Sequence, residues 1–293
     1  MYQYIQIIID IIIFAIIFLF YEINKIKIKD YYKLNKQKRM IKNAIKEDRV
    51  IIYLQPIYSI NDKKYISAEV LARIKDKKGN IIYPCDFIEV AERTGIILEL
   101  ESIVFEKSCK FIKDNLDNLK LNYLEINLSV LKGESEKLIE EYDKVIKQYN
   151  ISPQQLNLEI TETATLQKRD KLIHNMTNFI DYGLSFSLDD FGTGECNLNY
   201  IIDMPVSIIK FDKSIIDSYF DKDNQKAEII IKNMINLAHK MNLKTIAEGI
   251  ETKEQYNEIK SLNIDFIQGY YFSKPLSEND FILFIKQEKN IDN

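Results

Sequence analysis

The stretch SFSLDDFGTGE, from Ser185 to Glu195, decides the fold, because a short apolar run ends there in two adjacent acids and a glycine loop. Successive residues of a β-strand point to opposite faces, so a strand that ran straight on could not aim Asp189 and Asp190 at one place. A chain that turns at the end of a strand can present both carboxylates to the same site. The stretch therefore predicts a buried strand whose carboxyl end carries functional groups.

The same pattern recurs from Val50 onward, where short runs rich in Ile, Leu and Val alternate with amphipathic stretches of helical length. Strands are predicted at residues 50–57, 65–74, 123–129, 156–161, 184–190, 207–212, 244–249 and 265–270. Helices are predicted at Phe87–Arg93, Leu98–Asn115, Glu134–Tyr149, Lys168–Tyr182, Lys226–Met241, Lys253–Ser261 and Glu278–Glu288. This alternation predicts an α/β fold, a modified (β/α)8 TIM-like barrel, with a doubly wound open sheet as the alternative. Only YSINDKK separates the first two strands, which predicts a hairpin and so an antiparallel element near the start of the barrel.

Polar residues lie within these strands or at their downstream ends, where β/α barrels build their active sites. They are Glu69, Asn127, Glu159, Asp189, Asp190, Lys210, Glu248 and Gln268. Buried carboxylates need cations, and acids with an amide oxygen but no His or Cys favour Mg²⁺ or Mn²⁺ over zinc. Two such ions would clamp the attacking and leaving oxygens of an in-line displacement at phosphorus. Lys210 could pair with the acids or orient a water.

The composition excludes several other chemistries. The only two histidines, His174 and His239, lie in predicted helices between polar neighbours, which predicts surface positions and argues against a histidine base or a His-ligated zinc. Cys85, Cys109 and Cys196 are widely spaced and form no metal-binding pattern, so we expect reduced thiols. The net charge of −4 says little about partners.

The N-terminal stretch YIQIIIDIIIFAIIFLFY, Tyr4–Tyr21, is apolar except for Gln6 and Asp10, which predicts a transmembrane helix at the lower limit of length. It lacks the basic start and small-residue cleavage site of a signal peptide. The lysine-rich segment after it predicts a single-pass protein of the inner membrane with its bulk in the cytoplasm. This position beside the span explains the basic run better than nucleic-acid binding does, so no DNA or RNA partner is expected. The predicted divisions are an anchor at 1–21, a basic helical stalk at 22–49 and a catalytic domain at 50–293.

Short motifs follow one another in a fixed order along the predicted catalytic domain. They are QPI at Gln55, EVL at Glu69–Leu71 with Arg73 after it, PCDFIEVAERTGII at Pro84–Ile97, INLS at Ile126–Ser129, LEITET at Leu158–Thr163, LDDFGTG at Leu188–Gly194, IIKFDKS at Ile208–Ser214, AEGIET at Ala247–Thr252 and QGYYFSKPL at Gln268–Leu276. Any one motif is weak evidence. The ordered set resembles the EAL-type cyclic di-GMP phosphodiesterases, with EVL as a variant of the signature.

The resemblance implies a homodimeric enzyme that hydrolyses cyclic di-GMP to 5′-pGpG with Mg²⁺ or Mn²⁺, as two ions. The implied metal ligands are Glu69, Asn127, Glu159, Asp189, Asp190 and Glu248, the last through a bound water. The implied catalytic residues are Lys210, Glu69 and Glu248. The implied substrate contacts are Gln55, Leu71, Arg73, Gln268 and Tyr270. The residues implied to organise the loop after Asp190 are Glu162, Gly192 and Gly194.

The sequence departs from the family pattern at two places. Val70 replaces the usual alanine, which a strand tolerates, and Glu195, Cys196 and Asn197 replace a tyrosine and two serines in the glycine loop, where they could alter dimer contacts or metal affinity.

Two functions other than hydrolysis are compatible with parts of the sequence. A catalytically inactive receptor that binds cyclic di-GMP and signals through the stalk is the main alternative, and a structural membrane scaffold would leave the polar ring unexplained. The DFG at Asp190–Gly192 does not indicate a kinase, because no glycine-rich phosphate loop or HRD-like stretch accompanies it.

Overall fold

The computed structural model describes residues 2–135, 137–161, 169–192, 202–221 and 225–291. The chain forms two compact units. The smaller unit consists of Met1–Arg49 and Ile74–Ile97, and the larger unit consists of Val50–Arg73 and Leu98–Asn293.

Ten strands and eleven α-helices are found in the described ranges. The strands are β1 (Val50–Ser59), β2 (Lys64–Lys75), β3 (Ile81–Ile82), β4 (Tyr123–Asn127), β5 (Leu156–Thr161), β6 (Ser185–Phe191), β7 (Ile208–Phe211), β8 (Lys244–Ala247), β9 (Phe266–Ile267) and β10 (Leu276–Ser277). The helices are α1 (Tyr2–Lys46), α2 (Ile88–Arg93), α3 (Ile97–Phe111), α4 (Asp117–Leu119), α5 (Val130–Gly133), α6 (Leu138–Tyr149), α7 (Arg169–Tyr182), α8 (Lys213–Phe220), α9 (Gln225–Lys240), α10 (Lys253–Lys260) and α11 (Glu278–Ile291).

The larger unit is a closed barrel of eight strands. Its strands neighbour one another in the order β2, β4, β5, β6, β7, β8, β9 and β1, and β1 also pairs with β2, which closes the ring. Each pair from β2 round to β9 is parallel, whereas β1 runs antiparallel to β9. The predicted barrel and its antiparallel element are confirmed, and the doubly wound open sheet is wrong.

The alternation of side chains along β5 shows why the barrel interior is polar. Leu156, Leu158 and Ile160 are buried on one face, and Asn157 and Glu159 are buried on the other. The amide of Asn157 donates to Ser185 Oγ (2.9 Å) and accepts from Ser187 Oγ (2.8 Å) on the neighbouring strand. Hydrogen bonds to the neighbouring strand therefore satisfy the inward amide of Asn157, while the apolar face packs outward.

Several helices differ from their predicted bounds. The helix predicted at Glu134–Tyr149 begins at Leu138, and the one predicted at Leu98–Asn115 ends in a π-helical turn at Ile112–Leu116. The short helix α8 was not predicted. Its N-cap is Asp212, whose carboxylate accepts a hydrogen bond from Ser214 N (2.8 Å) and so satisfies one unpaired backbone donor at the start of the helix.

The histidine and cysteine predictions have mixed outcomes. His239 is half-buried at the surface, less exposed than its polar neighbours suggested, with 26% of its side chain exposed and Nε2 2.9 Å from Asp265 Oδ2. His174 is exposed, as expected. Cys85 and Cys109 are free thiols, and Cys196 lies outside the described residues.

In the smaller unit, the end of α1 packs against α2. Ile41 and Ala44 are fully buried, and the Gln37 side chain donates to the carbonyl oxygen of Asp86 (3.1 Å). β3 pairs with the last residues of β2 in antiparallel register, Ile74 opposite Ile82.

α1 contains both the predicted transmembrane span and the predicted stalk. Among the residues that the structure describes, no helix combines the length and the apolar character needed to cross a bilayer. The structure therefore does not support the predicted transmembrane helix. The side chain of Asp10 lies outside the described residues.

Candidate active site

The register of the parallel strands brings the predicted polar residues together at one end of the barrel. Asn127 on β4 lies opposite Glu159 on β5, and Thr161 on β5 lies opposite Asp189 on β6. Glu248 directly follows β8, and Gln268 directly follows β9. All of these positions are at carboxyl ends of parallel strands, as the sequence predicted.

Lys210 on β7 is the centre of the site and is completely buried. Its Nζ lies 2.6 Å from Glu159 Oε1, 2.8 Å from Glu248 Oε1 and 3.2 Å from Asp189 Oδ1. It also lies 3.8 Å from Glu69 Oε2 and 3.9 Å from Glu125 Oε2. One ammonium group is thus surrounded by five carboxylates.

Burial and the crowding of charges shift the pKa values of Glu159, Glu248 and Lys210. Burial raises the pKa of Glu159 well above its ordinary value and that of Glu248 to about 8, although Lys210 opposes both shifts. Burial alone would lower the pKa of Lys210, but the charges of Asp189, Glu159 and Glu248 raise it well above its ordinary value. Lys210 is therefore held as a cation, and the excess of acid around it favours binding of further positive charge.

A break in the register of β6 explains how adjacent acids reach one site. The pairing of β6 with β7 shifts between Leu188 and Phe191, which marks a bulge or irregularity. Asp190 has a φ of +55°, in the left-handed region where Asp is one of the few side-chain-bearing residues tolerated. Burial, aided by the neighbouring charge of Asp189, raises the pKa of Asp190 to about 6. β6 continues to Phe191, so an irregularity within the strand, and not a turn at its end, brings the two acids together.

A set of amides orients Glu69 on the opposite side of the site. The Gln268 amide donates to Glu69 Oε2 and to Gln55 Oε1 (3.3 Å), and the Asn127 amide donates to Glu69 Oε1 (3.5 Å). The Gln55 amide in turn donates to the carbonyl oxygen of Ser273 (3.2 Å). Glu69 is therefore held in place by neutral donors as well as by Lys210.

The donor set fits a hard divalent cation, although its side chains do not form a ready-made cage. Within the described part of the chain, no three Asp, Glu, His or Cys side chains are grouped to hold a metal ion, because the carboxylates converge on Lys210. Both carboxylate oxygens of Glu159 and Oδ1 of Asp189 are buried and make no well-directed hydrogen bond. Such oxygens are the ligands that Mg²⁺ and Mn²⁺ prefer.

A cavity of about 310 Å³ opens beside these acids. It is lined by Gln55, Glu69, Lys213, Glu248, Gly249, Glu251, Gln268, Gly269 and Tyr270. Three of the five predicted substrate contacts, Gln55, Gln268 and Tyr270, are thus brought together. Leu71 and Arg73 are not among the lining residues; the Arg73 guanidinium instead lies 5.4 Å from the ring centre of Tyr53.

The loop after β6 is only partly described. Gly192 has a φ of +97°, and a Cβ there would lie 2.4 Å from Ile215 Cδ1, so this position requires glycine. Glu162, Gly194 and the departures at residues 195–197 lie outside the described residues.

Two charged residues of the site were missed in the sequence. Glu125 is fully buried on β4, opposite Glu69, and its position two residues before Asn127 places both on the same face of the strand. The two-residue spacing from Asn127 was the signal in the sequence that could have predicted Glu125 as a site residue. Lys213 lines the cavity, but it follows the predicted strand, so the strand pattern does not mark it.

The family of the chain follows from this architecture and from comparison with known proteins. The sequence profile described as the EAL domain matches residues 38–275. The chain belongs to the EAL domain family.

Curated relatives of this EAL domain are much longer proteins. Signaling protein YkoW of Bacillus subtilis is 32% identical over 260 residues, which are 89% of this chain and 32% of YkoW. The probable cyclic di-GMP phosphodiesterase PdeB of Escherichia coli is 29% identical over 247 residues, 84% of this chain and 46% of that protein. The chain therefore spans less than half the length of either relative.

Solved structures share the fold of this EAL domain. The EAL enzyme Bd1971, with cAMP and cyclic di-GMP bound, matches with a TM-score of 0.81 and 26% identity, over 88% of this chain and 70% of that chain. The PaMucR phosphodiesterase in complex with cyclic di-GMP matches with a TM-score of 0.78 and 25% identity, over 84% of this chain and 99% of that chain. An EAL domain protein from Listeria monocytogenes matches with a TM-score of 0.74 and 29% identity, over 87% and 98% of the two chains.

Proposed function

We propose that this EAL domain hydrolyses cyclic di-GMP to 5′-pGpG. The observation that carries the proposal is the ring of carboxylates around Lys210, two of which, Glu69 and Glu248, line the adjoining cavity. Relatives named as cyclic di-GMP phosphodiesterases, and structures of relatives with cyclic di-GMP bound, support this choice of substrate. In the reaction, a water oxygen bonds to one phosphorus, and the bond from that phosphorus to a ribose 3′ oxygen breaks.

The residues of the chain can be given roles in this reaction. Gln55, Gln268 and Tyr270 line the cavity and would position the dinucleotide. Lys210 would orient the attacking water and stabilise the developing charge, because its ammonium is fixed by acids on several strands. The carboxylates of Glu69 and Glu248 border the cavity. Glu69 would accept the proton released by the water, Glu248 would hold that water by a hydrogen bond, and the ribose 3′ oxygen would take up a proton as it leaves.

We propose Mg²⁺ or Mn²⁺ as the cofactor, as a pair of ions. Their ligands would be the carboxylates and amide predicted from the sequence, namely Glu69, Asn127, Glu159, Asp189, Asp190 and Glu248. Bound ions would supply positive charge that stabilises the phosphoryl oxygens and the leaving oxygen. The poorly satisfied oxygens of Glu159 and Asp189 and the excess of acid around Lys210 support this proposal.

Turnover by the full chain tests the proposal. The purified chain in detergent, with Mn²⁺ and cyclic di-GMP, should release 5′-pGpG, measured by chromatography of the nucleotides. Glu69→Ala should lower the rate by at least about a hundredfold, whereas Glu254→Ala, an exposed acid on α10, should leave it unchanged. Tight binding of cyclic di-GMP without any product would instead favour the receptor function.

We also propose that the chain is attached to the inner membrane through residues 4–21, with the catalytic domain in the cytoplasm. The apolar composition of that stretch and the basic run after it support this. So does the exposure of the described side chains Phe14, Phe18, Leu19 and Phe20, each more than half exposed on α1. Fractionation should recover the chain with membranes, and deletion of residues 2–21 should release it.

Homodimerisation is proposed on the family resemblance alone. Light scattering of the purified chain should give twice the monomer mass.

A further inference from the structure

Lys213 is the first residue of α8 and lies three positions after Lys210. Its Nζ is 3.1 Å from Glu251 Oε1 and 3.4 Å from Asp217 Oδ2, and its side chain is 44% exposed. Unlike Lys210, it is reachable from solvent. Its two ion pairs are surface pairs of low strength, so a stronger anion can replace them.

The backbone near the site is shaped around the stem of Lys213. Gly249 has a φ of +70°, and a Cβ at that position would lie 2.4 Å from Lys213 Cγ and 2.5 Å from Lys213 Cβ. The chain after β8 thus passes directly against the methylene groups of Lys213. This close approach fixes where the side chain leaves α8, which an ordinary surface lysine does not require.

The charges around the cavity give Lys213 a particular role. Among the nine residues that line the cavity, Lys213 is the single cation, and three are acids: Glu69, Glu248 and Glu251. Lys210 lies behind them, has no exposed surface and is already surrounded by carboxylates. Among the described lining residues, Lys213 is therefore the one that offers an accessible ammonium group to a phosphodiester in the cavity.

We propose that Lys213 binds a phosphate oxygen of the dinucleotide in the cavity, giving up its ion pairs with Glu251 and Asp217 when it does so. This rests on the proposed function, because it takes cyclic di-GMP as the occupant of the cavity. Lysine suits such exchange, since its ammonium carries three rotatable donors on a flexible stem.

The test is the affinity of the full chain for cyclic di-GMP, measured by titration calorimetry. Ca²⁺ replaces Mn²⁺, because its looser coordination disfavours turnover, and chromatography checks that the nucleotide stays intact. Lys213→Gln should weaken binding about tenfold, the effect of losing one charge-assisted hydrogen bond, and should flatten the dependence of affinity on salt. Lys213→Arg should retain most of the affinity.

Two controls separate phosphate binding from other effects. Lys253→Gln removes the lysine that starts α10, an exposed residue that does not line the cavity, and should leave affinity unchanged. Asp217→Asn removes a partner of Lys213 outside the cavity, and should leave binding equal or slightly tighter. Weaker binding by Asp217→Asn would show that the ion pair acts by holding α8 and would overturn the proposal.

The outcomes distinguish this inference from the function on which it rests. If the wild-type chain neither binds nor hydrolyses cyclic di-GMP, the proposed function fails. If the wild-type chain binds it and Lys213→Gln binds with the same affinity and the same salt dependence, the function stands and the role of Lys213 is refuted.

Discussion

The carboxylate of Asp265, just before β9, is expected to be a main support of the end of the barrel that lies away from the candidate active site. Only 6% of the residue is exposed. The carboxylate accepts hydrogen bonds from Lys244 Nζ (2.7 Å), from the backbone nitrogen and the hydroxyl of Thr245 (3.0 Å each), and contacts His239 Nε2 (2.9 Å). A single acid thus ties the start of β8 to the end of α9 and to the approach of β9.

Replacing this acid should destabilise the protein strongly. Asp265→Ala leaves the backbone nitrogen and the hydroxyl of buried Thr245 without their acceptor, which costs about 1–3 kcal/mol for each donor, whereas Lys244, 58% exposed, can turn to water. For a domain of this size, each kcal/mol lowers the melting temperature by about 2–4 °C, so the transition should fall by about 10 °C. Asp265→Asn should cost less, because it keeps one acceptor oxygen but loses the charge.

The pH dependence of this stabilisation has a definite sign. Burial tends to raise the pKa of Asp265, but hydrogen bonds from Lys244, His239 and Thr245 hold it below the ordinary value of 3.8. An acid whose pKa is lowered by folding stabilises the protein above its unfolded pKa and loses that effect as the pH falls through its folded pKa. The gap in unfolding temperature between wild type and Asp265→Asn should therefore be full at pH 7 and shrink only below about pH 3.8.

Thermal unfolding followed by circular dichroism at pH 7, 5 and 3.5 measures this gap. Asp181→Asn, an exposed acid at the end of α7, is the control and should unfold with the wild type. The reasoning is refuted if Asp265→Asn melts together with the wild type at pH 7, or if the gap widens as the solution is acidified.

Three further substitutions test the candidate site. Gly249→Ala should strain a backbone with φ +70° and push Lys213 aside. The affinity of this variant for cyclic di-GMP should therefore fall, and an unchanged dissociation constant would contradict the reasoning. The carboxylate of Glu101 holds the turn after β4 by accepting hydrogen bonds from Ser129 N (2.6 Å) and Ser129 Oγ (3.0 Å). Glu101→Gln weakens this acceptor, so the Mn²⁺ concentration for half-maximal turnover should rise about tenfold. An unaltered Mn²⁺ dependence would show that the contact is not needed. Lys210→Met leaves five acids without their shared cation, so turnover should be lost. Added Mg²⁺ should raise the melting temperature of this variant more than that of the wild type. Equal rises in melting temperature would count against a cation-dependent site.

The sequence predicted the barrel well because both of its signals are local. Apolar runs of strand length alternate with amphipathic stretches, and polar residues mark the ends of the strands. β5 has the predicted bounds, Leu156–Thr161, and all eight predicted strands are found, although β9 covers only Phe266–Ile267 of the predicted 265–270. The hairpin between β1 and β2 followed from the length of its loop, which is too short for a helical crossover.

Features that depend on contacts distant in sequence could not be predicted in the same way. His239 has polar neighbours in the chain, but its side chain contacts Asp265, which lies 26 residues further along the sequence. α8 was missed because it is short and begins immediately after β7, where the strand pattern ends. Glu125 has the same periodicity as Asn127, but only the closed barrel shows that its face points to Lys210.

Asp189 and Asp190 are adjacent in sequence, and the local backbone geometry explains how both can lie at one site. On a regular strand, alternate residues face opposite sides, so one of the two acids would be directed into the outer apolar layer. The register shift of β6 and the left-handed conformation of Asp190 remove that conflict at the strand end. Asp189 then contacts Lys210 at 3.2 Å, while Asp190 remains only half-buried beside it. One ammonium cannot neutralise so many acids, so burial raises the pKa of Glu159 and Glu248, which favours protonation of these carboxyl groups. This surplus of acidic groups over cations is the physical reason to expect divalent cations, which would replace those protons, and with them chemistry at phosphorus.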